Sequence, residues 1–451
     1  MERQSQLYPI AARLQAPGHW TAVKPRQSRA ATRSGSETAL KWLIAALFLP
    51  EGLSFFIGDF RLSVARVLII VLTIRATAQY FQKFPRGTLV SSDLFALAAG
   101  LWMIIAATIV EGPVDGLKGG GIMALEFTGT YWIFRHHLGP LDGSVRLITF
   151  ACKLTLVVVA LAALDPLTDR LFCYEFAKAI TGYSSPGYEW AKAVHADTMY
   201  RNGVVRAMGP LEHSILFGAV CAWFGTIALC TFPSRLLGWS VALAALAGII
   251  ISQARGPLMA YALSLTIVTF YYVTYRVHAR WKVLGTLCLL ATVLLFMSSS
   301  NPVATLLKLS GISNETGWYR EAIWEAVTPL VLQSPFFGMG LKTAWDWQTA
   351  GLAGESVDAM WLRLAMVLGI PTALLVLFTM IGTYFGGSLD RSPYLSREEG
   401  RLSVALGIVT FAAVFLGFTV HFWGTCWNLL GIFAGIRASL VEARACRHKS
   451  S

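Results

Sequence analysis

Long apolar segments recur along almost the whole chain. Runs of roughly 17–25 predominantly apolar residues are long enough to cross a bilayer as helices. They occur near 40–57, 63–80, 92–110, 119–136, 146–165, 212–232, 236–253, 256–275, 283–300, 359–386, 402–421 and 423–440. The second run is the weakest because Arg66 and Arg75 lie inside it, and the last two are close enough for a re-entrant hairpin. The pattern predicts an all-α polytopic membrane protein with about 12 transmembrane helices.

Two connections are much longer than the others, at 166–211 and 301–358. Both contain apolar and aromatic side chains, so we expect them to fold as short helices against the bundle rather than to remain disordered. Residues 1–38 are polar and basic, which predicts a disordered arm, and residues 441–451 form a short tail. The predicted transmembrane domain therefore spans 39–440 and includes both long loops.

Composition and charge agree with a membrane location. Hydrophobic residues make up 55% of the chain and charged residues only 14%, against about 25% charged residues in typical soluble domains. The formal net charge is +12, but the basic residues lie between apolar runs, where they meet lipid rather than nucleic acid. About two thirds of them fall on the side of the membrane that holds both termini. The positive-inside rule thus predicts cytoplasmic termini and long loops on the outer face.

Ionisable side chains gather at a few points on the predicted outer face. Such groups are costly near the membrane, so each is a candidate for function. Three arginines on one side suit a phosphate-rich anion, and a carboxylate or imidazole beside them could accept a proton from a hydroxyl. The candidates are Arg206, Glu212 and His213 before the sixth segment, Arg255 between the seventh and eighth, Arg320 in the second loop, and Glu355 and Asp358 before the tenth.

Each candidate also has an ordinary structural interpretation. An arginine at a helix start can extend to the membrane surface, and one on a surface helix can pair with nearby glutamates. Carboxylates and capping residues are common in the first turn of a helix. These alternatives apply in turn to Arg255, to Arg320 beside Glu321 and Glu325, to Glu212 and to Asp358, while His213 could be a plain interfacial histidine.

The order of these pieces resembles the O-antigen ligase and polymerase superfamily, and most closely its exopolysaccharide polymerase branch. The resemblance runs from about residue 43 to 440. It is carried by Leu49-Pro50-Glu51-Gly52-Leu53, Arg206 with Gly209-Pro210-Leu211-Glu212-His213, Ser252-Gln253-Ala254-Arg255-Gly256-Pro257, Tyr319-Arg320 with Trp324, Ser334-Pro335-Phe336-Phe337-Gly338-Met339-Gly340, and Leu368-Gly369-Ile370.

The resemblance implies a GT-C-like glycosyltransferase in the bacterial inner membrane, with its long loops in the periplasm. It implies a glycan on undecaprenyl diphosphate as donor, no metal and no cofactor. Arg206, Arg255 and Arg320 would then hold the diphosphate. Chain-length regulators or export proteins are candidate partners.

One position departs from the ligases of this superfamily. They carry a histidine about eleven residues before the Leu-Gly of the tenth helix, whereas this sequence has Asp358 there. An aspartate can act as the base that accepts the hydroxyl proton if burial raises its pKa, or it can orient the acceptor. The departure favours a polymerase over a ligase, with Asp358, or else His213 or Glu212, as the base.

Three alternatives remain open. A ligase would transfer the same donor to lipid A core. A transporter of lipid-linked sugars would need a polar path, which Glu126 and Lys153 could line, although a structural Glu–Lys pair is the simpler interpretation. A scaffold for other envelope enzymes would need none of the arginines.

Overall fold

The computed structural model describes residues 27–58, 60–83, 89–138, 142–184, 189, 199–298, 314–342, 357–384, 389 and 392–450. Residues 1–26 of the predicted arm and residues 301–313 and 343–356 of the second long loop, which include Glu355, lie outside the described residues. Helix α1 begins at Gln27, so residues 27–38, which we predicted to be part of a disordered arm, are helical.

Helices dominate the described chain, with two short hairpins. The hairpins pair β1 (Ser54–Ile57) with β2 (Phe60–Ser63), and β3 (Tyr200–Arg201) with β4 (Val204–Val205). The helices are α1 (Gln27–Leu47), α2 (Val64–Lys83), α3 (Ser91–Glu111), α4 (Pro113–Ala124), a π-helical turn (Leu125–Gly129), α5 (Thr130–His137), α6 (Asp142–Thr168), α7 (Phe172–Thr181), α8 (Ser214–Thr231), α9 (Leu236–Ser252), α10 (Arg255–Val273), α11 (Arg280–Ser298), α12 (Asn314–Gln333), α13 (Met360–Leu368), α14 (Ile370–Ile381), α15 (Arg397–Leu416) and α16 (Gly424–Ser450).

The predicted all-α membrane architecture is confirmed. In the described residues, 7 helices are long and apolar enough to cross a membrane, and α9 and α14 are shorter apolar helices. Every predicted apolar segment coincides with helical residues, but the first one was placed wrongly at its end. Pro50 and Gly52 follow α1, and residues 54–57 form strand β1 instead of continuing the helix, because proline and glycine both disfavour a helix interior.

Helix α8 forms the centre of the bundle. Of its membrane-spanning residues, 89% are buried. Helices α6, α9, α10 and α15 pack around it. Small residues allow the close approach: a Cβ on Gly225 would lie 2.7 Å from Cβ of Ala245, and one on Gly218 would lie 3.0 Å from Pro257. Helices α9 and α10, which carry the Ser252–Arg255 turn, are therefore held against the most buried of the candidate membrane-spanning helices in the described residues.

Buried ion pairs join helices that are distant in sequence. Asp93 accepts a 3.0 Å hydrogen bond from Nε of Arg135 and one from the hydroxyl of Tyr131, and Arg135 also pairs with Glu442. Glu126 pairs with Arg66 at 2.8 Å. The predicted Glu126–Lys153 pair is therefore wrong in its partner, and Glu126 is engaged in a structural pair.

A backbone turn at 334–340 locks the break between α13 and α14. The amide of Met339 donates to the carbonyl of Met366 (2.8 Å), and the amide of Ile370 donates to that of Pro335 (2.8 Å). Gly369 has a φ of +86°, and a Cβ there would lie 1.9 Å from the carbonyl oxygen of Phe336. Leu368 and Gly369 thus fix the end of α13, the helix that follows Asp358.

Replacing Gly369 with alanine should lower the free energy of unfolding by about 2–4 kcal/mol, since both the positive φ and the backbone contact exclude a side chain. Gly285→Ala is the matched control, because nothing lies within 4 Å of a Cβ at that helical glycine. It should be neutral or slightly stabilising. Thermal unfolding of the purified variants in detergent measures both, and equal melting temperatures would contradict the prediction.

Candidate functional site

We call the end of the bundle where α6 stops and α8 starts the long-loop end. There Asp165 of α6 organises the segment that leads into α8. Its carboxylate accepts hydrogen bonds from the backbone amides of Met208 (3.0 Å), Gly209 (2.7 Å) and Phe172 (3.0 Å). This single side chain ties both ends of the described part of the first long loop to α6, and so fixes where the residues between 206 and 213 lie.

Two arginines bind the carbonyls that end α9. Nε of Arg206 donates to the carbonyl of Ser252 (3.2 Å), and Nη1 of Arg201 donates to that of Gln253 (2.8 Å). Gln253 has a left-handed φ of +51°, which ends α9 and lets α10 begin two residues later at Arg255. Burial and the charge of Arg255 lower the pKa of Arg201. Burial and the charge of Arg201 lower the pKa of Arg206 to about 10. Arg201 is therefore close enough to repel both Arg206 and Arg255, as expected of an anion site.

Arg320 joins this group from α12. A Cβ on Gly256 would stand 3.8 Å from Nη2 of Arg320, so its guanidinium reaches the first turn of α10. Burial lowers the pKa of Arg320, and Asp358 partly opposes the shift. Helix α12 is pinned there because Nε1 of Trp324 donates to the carbonyl of Phe418 at 3.1 Å.

Asp358 lies where α12, α13 and the connection between α15 and α16 meet. It is close enough to Arg320 and Arg363 to attract both electrostatically. Next to it, the amide of Met360 donates to the carbonyl of Val420 at 3.1 Å. Burial and the charge of Arg363 lower the pKa of His421 well below its ordinary value. Asp358 is thus the carboxylate that the fold brings to the arginines.

His213 is a helix cap and also a neighbour of the arginines. Its Nδ1 accepts a 3.0 Å hydrogen bond from the amide of Ile215 at the start of α8. Burial and the charge of Arg206 lower its pKa to about 4. A neutral imidazole that accepts at Nδ1 carries its proton on Nε2. His213 is therefore better suited to donate a hydrogen bond than to accept a proton.

Glu212 faces another part of the protein. Its Oε1 accepts hydrogen bonds from the amide (2.8 Å) and hydroxyl (3.1 Å) of Thr425 at the start of α16. Burial, with a smaller contribution from Glu51, raises its pKa to about 7. Glu212 lines a cavity with Glu51, Arg61 and Arg66. The fold thus links Arg206, Arg255, Arg320, Asp358 and His213 in one charged cluster, which we call the arginine cluster, and turns Glu212 away from it.

Arg201, Arg363 and His421 also belong to the arginine cluster, although the sequence analysis did not predict them. Arg363 and His421 lie within predicted transmembrane segments. An ionisable side chain in such a segment is itself a signal of function, so both could have been found from the sequence. Arg201 lies in the first long loop, where only its hydrogen bond to Gln253 distinguishes it from a surface arginine.

A sequence model of the family described as O-Antigen ligase matches residues 240–377. The match runs from α9 to α14 and includes Arg255, Arg320 and Asp358. The predicted resemblance is confirmed for this part of the chain, and it indicates an O-antigen ligase- or polymerase-like protein. No curated protein matches the chain.

Glu212 should make stability depend on pH. Its pKa rises from 4.5 to about 7 in the folded state, so the ionised form disfavours folding. The penalty is absent below pH 4.5, grows as the pH rises towards 7, and then stays constant at roughly 3 kcal/mol. Glu212→Gln keeps an acceptor oxygen for Thr425 without the charge, so at pH 8 it should unfold at a higher temperature than wild type.

The measurement is the difference in melting temperature between the two proteins from pH 5 to 8, which cancels the opposite contribution of His213. A difference that does not increase with pH would contradict the assignment of the raised pKa to Glu212.

Proposed function

We propose that this protein polymerises oligosaccharide repeats carried on undecaprenyl diphosphate, at the periplasmic face of the bacterial inner membrane. The observation that carries the proposal is the arginine cluster, in which cations from the first long loop, from the start of α10 and from α12 meet at the Ser252–Arg255 turn. Guanidinium groups bind phosphate oxygens in pairs and stay charged when buried. A lipid-linked diphosphate is an anion of matching chemistry at a membrane surface.

In the proposed reaction, a hydroxyl of the acceptor glycan attacks the anomeric carbon of the donor glycan. The bond from that carbon to the diphosphate oxygen breaks, and the electron pair leaves with the lipid diphosphate. Arg206, Arg255 and Arg320 stabilise the charge that grows on the leaving group. Asp358 takes the hydroxyl proton, and attraction to Arg320 and Arg363 holds its carboxylate beside the leaving group.

Among the three candidate bases, Asp358 has the most support. It is in electrostatic contact with the arginine cluster, whereas Glu212 is bonded to Thr425 in another cavity and the Nδ1 of His213 is occupied by the cap of α8. We propose His213 as a hydrogen-bond donor to the substrate. A diphosphate is already a good leaving group, so the proposal needs no metal ion.

Arg255→Ala should reduce glycan transfer from a lipid-diphosphate donor by about 10²–10³-fold, because one positive charge on the leaving group is lost. Arg255→Lys should recover part of the rate, since it restores the charge but not the bidentate geometry. The matched control is Arg276→Ala at the opposite end of the bundle, where Arg276 is exposed. Rates are measured with purified protein in detergent without a membrane gradient, which also excludes transport. Full activity of Arg255→Ala would overturn the proposal.

A ligase is the second candidate, favoured by the description of the matching family. Gel analysis of surface glycans from a deletion strain separates the two. Loss of long chains with single repeats still attached is expected for a polymerase, and complete loss of attached glycan would indicate a ligase. A plasmid carrying Asp358→Asn should leave the deletion pattern unchanged, while wild type restores the long chains. A restored pattern with Asp358→Asn would exclude this residue as the base.

A further inference from the structure

A polar cavity separate from the arginine cluster lies at the long-loop end. Its volume is about 280 Å³, and it is enclosed by the end of α1, the β1–β2 hairpin, α2, the π-helical turn and the start of α16. The polar side chains that line it are Glu51, Arg61, Ser63, Arg66, Glu126, Glu212, Thr425 and Asn428. None of the reaction steps proposed above uses this cavity.

The charges inside the cavity are already matched. Arg61 pairs with Glu51, and Arg66 pairs with Glu126 at 2.8 Å. Glu212 is the third carboxylate, so among the lining residues carboxylates outnumber arginines. Because both arginines are already paired with carboxylates, an anion placed inside would find no surplus positive charge, in contrast to the arginine cluster.

Two buried acceptor atoms point to the chemistry of a ligand. Oε2 of Glu212 and Oδ1 of Asn428 are buried without a hydrogen-bond partner among the described residues, and Asn428 is only 4% exposed. Buried acceptors of this kind call for a donor, such as a hydroxyl group. Trp423 lines the same cavity and supplies an apolar face. Acceptors beside an indole suit a neutral, hydroxyl-rich sugar ring.

An apolar groove of about 680 Å³ adjoins the cavity between α2 and α4. It is lined by aliphatic side chains such as Leu62, Ile70 and Leu117, with Lys118 on its wall. Arg66 and Ile122 line both the groove and the cavity, so the two are continuous. Along this path an apolar channel, a junction at Arg66 and a polar chamber follow one another. A hydrocarbon chain, a phosphate and a sugar follow in the same order in a lipid-linked glycan.

We propose that the groove and the cavity bind the acceptor of the transfer reaction as a lipid-linked glycan, with the hydrocarbon chain in the groove and the lipid-proximal sugar in the cavity. This proposal rests on the proposed function. The acceptor would lie next to the donor, because Trp423 contacts both His213 (ring centroids 5.9 Å apart) and His421 (5.5 Å) of the arginine cluster. The far end of the acceptor glycan would reach the donor past Trp423, which forms the wall between the two sites.

Photolabelling tests the site independently of catalysis. The probe is a diazirine-bearing short polyprenyl diphosphate linked to N-acetylglucosamine, added to the full-length protein in nanodiscs and mapped by mass spectrometry. We expect labels in residues 62–70 and 113–125. Gly121→Trp should abolish them by filling the groove, since a Cβ on Gly121 has nothing within 4 Å. Gly285→Trp, on the lipid-facing helix α11 and equally open, should leave the labelling unchanged.

The sugar contact is tested with two matched probes. Glu212→Gln and Asn428→Leu each remove one unpartnered acceptor oxygen, so each should weaken labelling by the glycosylated probe about tenfold, as expected for one buried hydrogen bond, and should not affect a probe without the sugar. Equal loss with both probes would overturn the sugar assignment. Labels spread evenly over other lipid-facing helices, or equal labelling by a diazirine phosphatidylethanolamine, would overturn the groove as a specific site.

The proposed function can fail separately. Arg255→Ala should lose transfer while keeping the groove labels, because it acts on the donor. If wild type transfers no glycan but the labels and their sensitivity to Gly121→Trp remain, the transferase proposal is wrong and the lipid-glycan site stands. If transfer is normal in Gly121→Trp over a full range of acceptor concentrations, the acceptor assignment is wrong and the transferase proposal stands.

Discussion

The architecture of the long-loop end depends on one constraint: backbone groups that leave a helix inside an apolar bundle must find hydrogen-bond partners in the protein. Asp165 meets this need for three amides, and Arg201 and Arg206 meet it for the last carbonyls of α9. The same arginines supply the positive charge of the site. In the proposed function, structural and chemical roles are therefore combined in single side chains, so the residue type at each position serves the fold as well as the proposed chemistry.

Much of the fold was predictable from the sequence, because the length of an apolar run directly reflects bilayer thickness. The convergence of Arg206, Arg255 and Arg320 was also predictable, as all three flank segments that end on the same side. The end of α1 was missed because the apolar run continues through Phe55, Phe56 and Ile57, which form a strand in an exposed hairpin. An apolar run alone does not distinguish a helix from a strand.

The separation of Glu212 from His213 could not be read from spacing. His213 has extended backbone angles (φ −162°, ψ +149°), and neighbouring side chains on extended backbone point to opposite sides. One residue therefore reaches the arginine cluster and the other reaches the polar cavity. Had α8 begun two residues earlier, both side chains would have started a helical turn instead. The local position of the cap thus decides which chamber each residue serves, and only tertiary hydrogen bonds to Ile215 and Thr425 fix that position.

This arrangement also keeps the wall between the chambers nearly free of charge. Burial lowers the pKa of His213 to about 4 and raises that of Glu212 to about 7, so both groups move towards their neutral forms. A cationic His213 would add to the repulsion among the arginines, and a fully ionised Glu212 would weaken their field on the other side. Because both pKa values are shifted in this way, the wall between the chambers screens little of the positive potential that the arginine cluster exerts on a bound anion. A positively charged chamber and a polar chamber without surplus positive charge can therefore lie side by side, and in the proposed function the charge of each substrate's polar part determines where it binds.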